Sequence, residues 1–120
     1  MKKLAILASG SGSNAENIIE FFKESKDVEV TLIATNRKKA GVLERASRLK
    51  VPALIFNKSE LEGGQLEMVL KNNNIDCVIL AGFLMKVPES MIAAFPDQII
   101  NIHPALLPKY GGKGMYGQHV

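Results

Sequence analysis

Gly10-Ser11-Gly12-Ser13-Asn14 follows a short apolar run and opens a segment of helical spacing. Such a turn gathers several backbone N–H groups and the positive end of a helix dipole at one point, which is where a phosphate binds. The spacing Gly10-x-Gly12-x-x-Ala15 also fits the relaxed dinucleotide fingerprint with Ala in third place. The second half of that fingerprint is missing: an acid for the ribose belongs about 20 residues on, and the next apolar run ends in Thr35-Asn36-Arg37. Arg37 keeps an NADP reading open, whereas the lack of GK[ST] excludes a Walker loop. The plain alternative is a glycine turn with Ser13 or Asn14 as helix cap. A cap alone has no use for two glycines, which favours the phosphate.

A second constellation is Asn101-Ile102-His103-Pro104. In an extended segment residues i and i+2 point to one side, so the Asn101 amide and the His103 imidazole share a face. An imidazole of reference pKa about 6.5 can transfer a proton at neutral pH, and an amide N–H beside it can stabilise an oxyanion. Taken alone, the pair is better explained as a histidine hydrogen-bonded near a proline turn.

The elements that must position these residues change that balance. Leu4 to Ala8, Val30 to Thr35, Ala53 to Phe56, Cys77 to Ala81 and Ile99 to Ile102 are near-continuous apolar runs, as in strands covered on both faces of a parallel sheet. Between them, Ala15, Ile18, Ile19 and Phe22 have helical spacing, as do Val42, Ala46 and Leu49, and then Leu66, Val69 and Leu70. Pro88 in a first turn, followed by Met91, Ile92 and Phe95, predicts a short further helix that stops before Pro96. Lys58-Ser59-Glu60 reads as a solvated cap or helix end. The alternation predicts an α/β fold, a doubly wound, mainly parallel sheet. With the Rossmann-like order 3-2-1-4-5, the loops after the first and fourth strands meet at the switch point beside the end of the fifth. The glycine loop, Gly82-Phe83-Leu84-Met85 and the Asn101–His103 pair then converge on one crevice.

Composition narrows the class. The chain has 120 residues, 47% hydrophobic and 22% charged, with a net charge of +3, an ordinary globular domain. Its lysines are scattered and its aromatics few, so no nucleic-acid partner is expected. The apolar run after Lys2-Lys3 is too short for a secretory signal, and no run reaches membrane-spanning length. A cytoplasmic location follows as the expectation, in keeping with the lone Cys77 as a small buried thiol among apolar neighbours. After Ile102 the periodicity dissolves, and the fifth strand keeps an apolar face uncovered.

Gly10-Ser11-Gly12-Ser13-Asn14, Thr35-Asn36-Arg37 with Leu43-Glu44-Arg45-Ala46, Leu80-Ala81-Gly82-Phe83, and the run Ile100-Asn101-Ile102-His103-Pro104-Ala105-Leu106-Leu107-Pro108-Lys109-Tyr110 together resemble the folate-dependent formyltransferases. The glycine loop is similar to that of the branch acting on glycinamide ribonucleotide in purine biosynthesis and of its formyltetrahydrofolate-hydrolysing relatives. The resemblance implies that Gly12, Ser13 and Asn14 bind the ribonucleotide phosphate. It implies that Leu84, Met85, Lys86 and Val87, with Asn101, line the pocket of the co-substrate 10-formyltetrahydrofolate. Met85 stands where the family often has Arg. It implies further that Asn101 and His103 are catalytic, with no metal and no nicotinamide involved. The family's catalytic aspartate falls beyond Val120, so residues 1–120 are expected to be the amino-terminal part of a single formyltransferase domain, without its last strands and inactive alone. A deformylase and a binding fragment without turnover are the alternatives, and no oligomeric state is implied.

Overall fold

The computed structural model describes residues 1–102. Five strands, β1 (Lys2–Leu7), β2 (Val28–Thr35), β3 (Ala53–Ile55), β4 (Cys77–Ala81) and β5 (Ile99–Ile102), form one sheet in the order β3-β2-β1-β4-β5. Every pairing is parallel. The helices between them are α1 (Ser13–Phe22), α2 (Gly41–Leu49), α3 (Lys58–Glu62), α4 (Gln65–Asn72) and α5 (Glu89–Ala94). The predicted doubly wound α/β fold and its strand order are therefore what the chain adopts.

Alternation along each strand explains the two layers. Leu4, Ile6 and Ala8 pack with Ala15, Ile19, Val42 and Ala46 of α1 and α2. Ala5 and Leu7 face the other way, against Leu61, Leu66, Leu70, Met91 and Phe95 of the last three helices and the residue after them. Right-handed crossovers require this division, because the sheet is extended in one direction through β3 and in the opposite direction from β4 onward. Leu70 in α4 is fully buried; truncating such a residue to Ala costs about 2–5 kcal/mol.

Three details differ from the sequence reading. The segment from Lys58 is a helix in its own right, started by a reciprocal cap: the Asn57 side chain accepts from the Glu60 N–H at 2.7 Å, and the Asn57 N–H donates to the Glu60 carboxylate at 2.8 Å. Pro88 is the N-cap of α5, in extended conformation, one position ahead of the first turn. Strands β1 and β2 begin two residues earlier than their apolar runs, at Lys2 and Val28, because the parallel ladder also pairs the residues at their entry, Lys2 with Val28 and Lys3 with Glu29.

Candidate functional site

The switch point lies between β1 and β4, which pair over Leu4 to Leu7. A recess of about 120 Å³ opens there, lined by Gly10, Ser11, Gly12, Ser13, Asn14, Ala81 and Gly82. A water occupies about 30 Å³ in the liquid, so the recess accommodates a small polyatomic group.

Its wall is the N-terminus of α1. Gly12 is the N-cap with φ 82°, and no side chain caps the helix, so neither Ser13 nor Asn14 takes the capping role left open by the sequence. The first N–H groups of any helix lack an intrahelical acceptor. Among the described residues none accepts from the Ser13 or Asn14 N–H, which leaves these donors available to an anion at the positive end of the dipole.

Helix α2 fixes the loop from behind. The Val42 N–H donates to the Gly10 carbonyl at 3.1 Å, and the Arg45 Nε–H donates to the Ser11 carbonyl at 2.7 Å. Gly12 is required twice over. Its φ is left-handed, and a Cβ there would stand 2.5 Å from Cγ2 of Val42. Arg45 and Arg48 both pair with Glu16 in α1, the Arg48 contact at 2.8 Å. The Arg48 and Arg45 hydrogen bonds hold the Glu16 carboxyl below its ordinary value.

Ser9, which the sequence reading passed over, joins the ends of three strands. It is fully buried. Its hydroxyl donates to Oδ1 of Asn36, after β2, at 2.7 Å and accepts from the Leu84 N–H, after β4, at 3.0 Å. Its own N–H donates to the Gly82 carbonyl at 3.2 Å. Arg37, which kept a dinucleotide reading open, is exposed at the edge of this region.

On the α5 side of the sheet, a larger cavity of about 510 Å³ is lined by Leu80, Val87, Ile92, Phe95, Ile99 and Asn101, among others. Asn101 pairs with Leu80 across the ladder. The structure therefore brings Val87 and Asn101 together. Met85 packs against the neighbouring core with Phe83, whose ring lies 5.9 Å from that of Phe56. Leu84 is 76% exposed and Lys86 is exposed; neither lines this cavity. Asn14 faces a further groove that also touches Ile102, so the glycine loop and the end of β5 are neighbours. His103 lies outside the described residues.

Cys77 is buried, and burial pushes its thiol pKa up, the opposite of what a nucleophile needs. Among the described residues no group of three or more His, Cys, Asp or Glu side chains could hold a metal ion. No helix among them is long and apolar enough to cross a membrane.

The family model described as "Formyl transferase" matches residues 2–120. The chain is 43% identical over 123 residues to the chloroplastic phosphoribosylglycinamide formyltransferase of Arabidopsis thaliana, covering 97% of this chain and 42% of that protein. It is 35% identical to phosphoribosylglycinamide formyltransferase of Bacillus subtilis, covering 98% of this chain and 64% of that protein. Among solved structures, glycinamide ribonucleotide transformylase 1 from Geobacillus kaustophilus superposes with a TM-score of 0.80 at 36% identity, covering 99% of this chain and 66% of that one. The chain thus spans about two-fifths to two-thirds of the length of these relatives.

Proposed function

This chain belongs to the formyl transferase family, and from that premise we propose that it supplies the amino-terminal part of a domain that transfers a formyl group from 10-formyltetrahydrofolate to the amine of glycinamide ribonucleotide in purine biosynthesis. The observation that supports the reading is two unlike concavities, one at the loop after β1 and one that runs along β5 and α5 and reaches Asn101. The recess at Gly12, Ser13 and Asn14 offers main-chain donors to a phosphate. Apart from Asp97 and Asn101, the cavity is lined by aliphatic side chains and Phe95, which suits a flat heteroaromatic donor. Leu84, Met85 and Lys86, which do not line this cavity, enter the proposal as folate contacts from the adjoining loop.

In this reading the substrate amine attacks the formyl carbon, and the C=O electron pair moves onto oxygen. The Asn101 amide and a protonated His103 stabilise that oxyanion. Collapse of the tetrahedral species breaks the bond to the folate nitrogen, which leaves with a proton, while the attacking amine loses one. The step involves no oxidation, so it calls for no nicotinamide, and the reading assigns no metal. Its substrates are small molecules, with neither a nucleic acid nor a membrane as partner, and a cytoplasmic setting suits the reduced, buried Cys77.

The test is formyl transfer by the full-length protein from 10-formyltetrahydrofolate to glycinamide ribonucleotide. His103→Ala should lower turnover by about 100-fold or more with substrate affinity largely kept, because its work is done in the transition state. Asn101→Ala should also lower turnover. Unchanged turnover would remove both residues from the mechanism. Formate release that does not depend on the ribonucleotide would make water the acceptor and overturn the reading.

A further inference from the structure

We propose that Ser9 is a positioning residue that sets the loop after β4 against the glycine loop, and so fixes the approach of one substrate to the other. The proposal rests on the two-sub-site reading above. Its basis is one buried hydroxyl used in both directions: it donates to Asn36 and accepts from the N–H of Leu84. Leu84 is exposed, so its main chain is held while its side chain is not, and that restraint comes from the adjoining strand end. Ser9 is also the residue immediately before Gly10, with its own N–H on the Gly82 carbonyl. Gly82 and Gly10 line the same recess. One residue therefore ties the wall of the anion recess to the segment that leads to Val87 and the second cavity.

A hydroxyl in that place serves geometry more than bulk stability. Removing it strips Asn36 of a donor and Leu84 of an acceptor, and Leu84 and its neighbours can then drift relative to Gly12. Reacting groups misplaced by about 1 Å can lose about 100-fold in rate, whereas affinity for each substrate depends on contacts within its own sub-site.

The experiment compares Ser9→Ala and Asn36→Ala with the unaltered full-length protein, by steady-state kinetics with both substrates and by hydrogen exchange at the Leu84 amide. Ser9→Ala is expected to speed Leu84 exchange by roughly 10-fold or more and to lower kcat by about 10-fold, with each KM changed by less than about 3-fold. Asn36→Ala leaves the Leu84 bond in place, and its expected loss of kcat is smaller, about 3-fold. Ser9→Thr keeps the hydroxyl and should restore Leu84 protection and most of kcat. A freed Leu84 amide with unchanged kcat overturns the proposal, as does a kcat that falls only in proportion to the folded fraction. Should Ser9→Ala fail to fold, Ser9→Cys, close in shape but with a poor acceptor in place of the hydroxyl, is used instead, and a freed Leu84 amide with unaltered kcat overturns the proposal there too. An unaltered protein that transfers no formyl group refutes the functional reading instead, and a Leu84 amide then insensitive to Ser9→Ala refutes the staple as well.

Discussion

The loop after β1 and the loop after β4 face each other across the switch point, yet they are built on different principles. Residues Gly10 to Asn14 are consecutive, present main-chain groups, and are clamped from behind by Val42 and Arg45 of α2. Residues Gly82 to Val87 present side chains of several kinds, rest through Phe83, Met85 and Val87 on the core, and are tied across the switch point by the Ser9 hydroxyl. A surface made of backbone is indifferent to most side-chain changes but intolerant of any change in its path. One made of side chains can alter its composition, Met85 included, while its path is kept by a few fixed bonds.

The largest effect expected from this difference is at Gly12. Gly12→Val combines a left-handed φ with a Cβ inside Val42, so we expect a loss of about 3 kcal/mol or more of folding free energy, read by denaturant unfolding. A stable Gly12→Val protein would show that α2 does not clamp the loop. Binding data on this variant alone would confuse misfolding with a blocked anion.

A smaller effect belongs to the α1–α2 clamp and depends on pH. Glu16, beside Arg48 and Arg45, titrates below its ordinary value of 4.5 when folded. A depressed carboxylate contributes stability that is complete above the unfolded pKa and is lost as pH falls through the folded one. The advantage of the natural sequence over Glu16→Gln should therefore be constant from neutral pH to about 5, then shrink below the ordinary carboxylate range. An advantage that vanishes nearer neutrality would assign it to another group.

The smallest effect should come from Gly10→Ala. An added Cβ there meets nothing within 4 Å, so stability should stay within about 0.5 kcal/mol. Phosphate affinity measured on that folded variant isolates access to the recess from the integrity of the loop.

The same contrast explains what could be read in advance. Strands buried on both faces appear as apolar runs, so the sheet and its order were legible, and so was the glycine turn that leads from β1 into α1. Helix α3 was readable in principle from Asn57 and Glu60, a capping pair at the right spacing, but five residues give too little periodicity to show a helix. Ser9 carried no such signal. Its partners Asn36 and Leu84 are distant in sequence and become neighbours only when three parallel strands end side by side. Arg45 is similar: its helical position is visible, its carbonyl partner at Ser11 is not. The grouping of Val87 with Asn101 likewise depends on β4 and β5 pairing in one register.

The central place of β1 has a consequence for biosynthesis. This strand is made before its neighbours on either side, and β2 reaches it well before β4 does. At about 5–20 residues per second, the ribosome needs roughly two to ten seconds to pass from the end of β2 to the end of β4. During that interval the β4-facing edge of β1 has no partner of its own, and Ala5, Ile6 and Leu7, later among the most enclosed residues of the molecule, sit on an open strand that a second nascent chain could pair with. The topology that creates the switch point thus also creates a vectorial delay, and the yield of folded protein should fall when translation slows between Ala40 and Cys77.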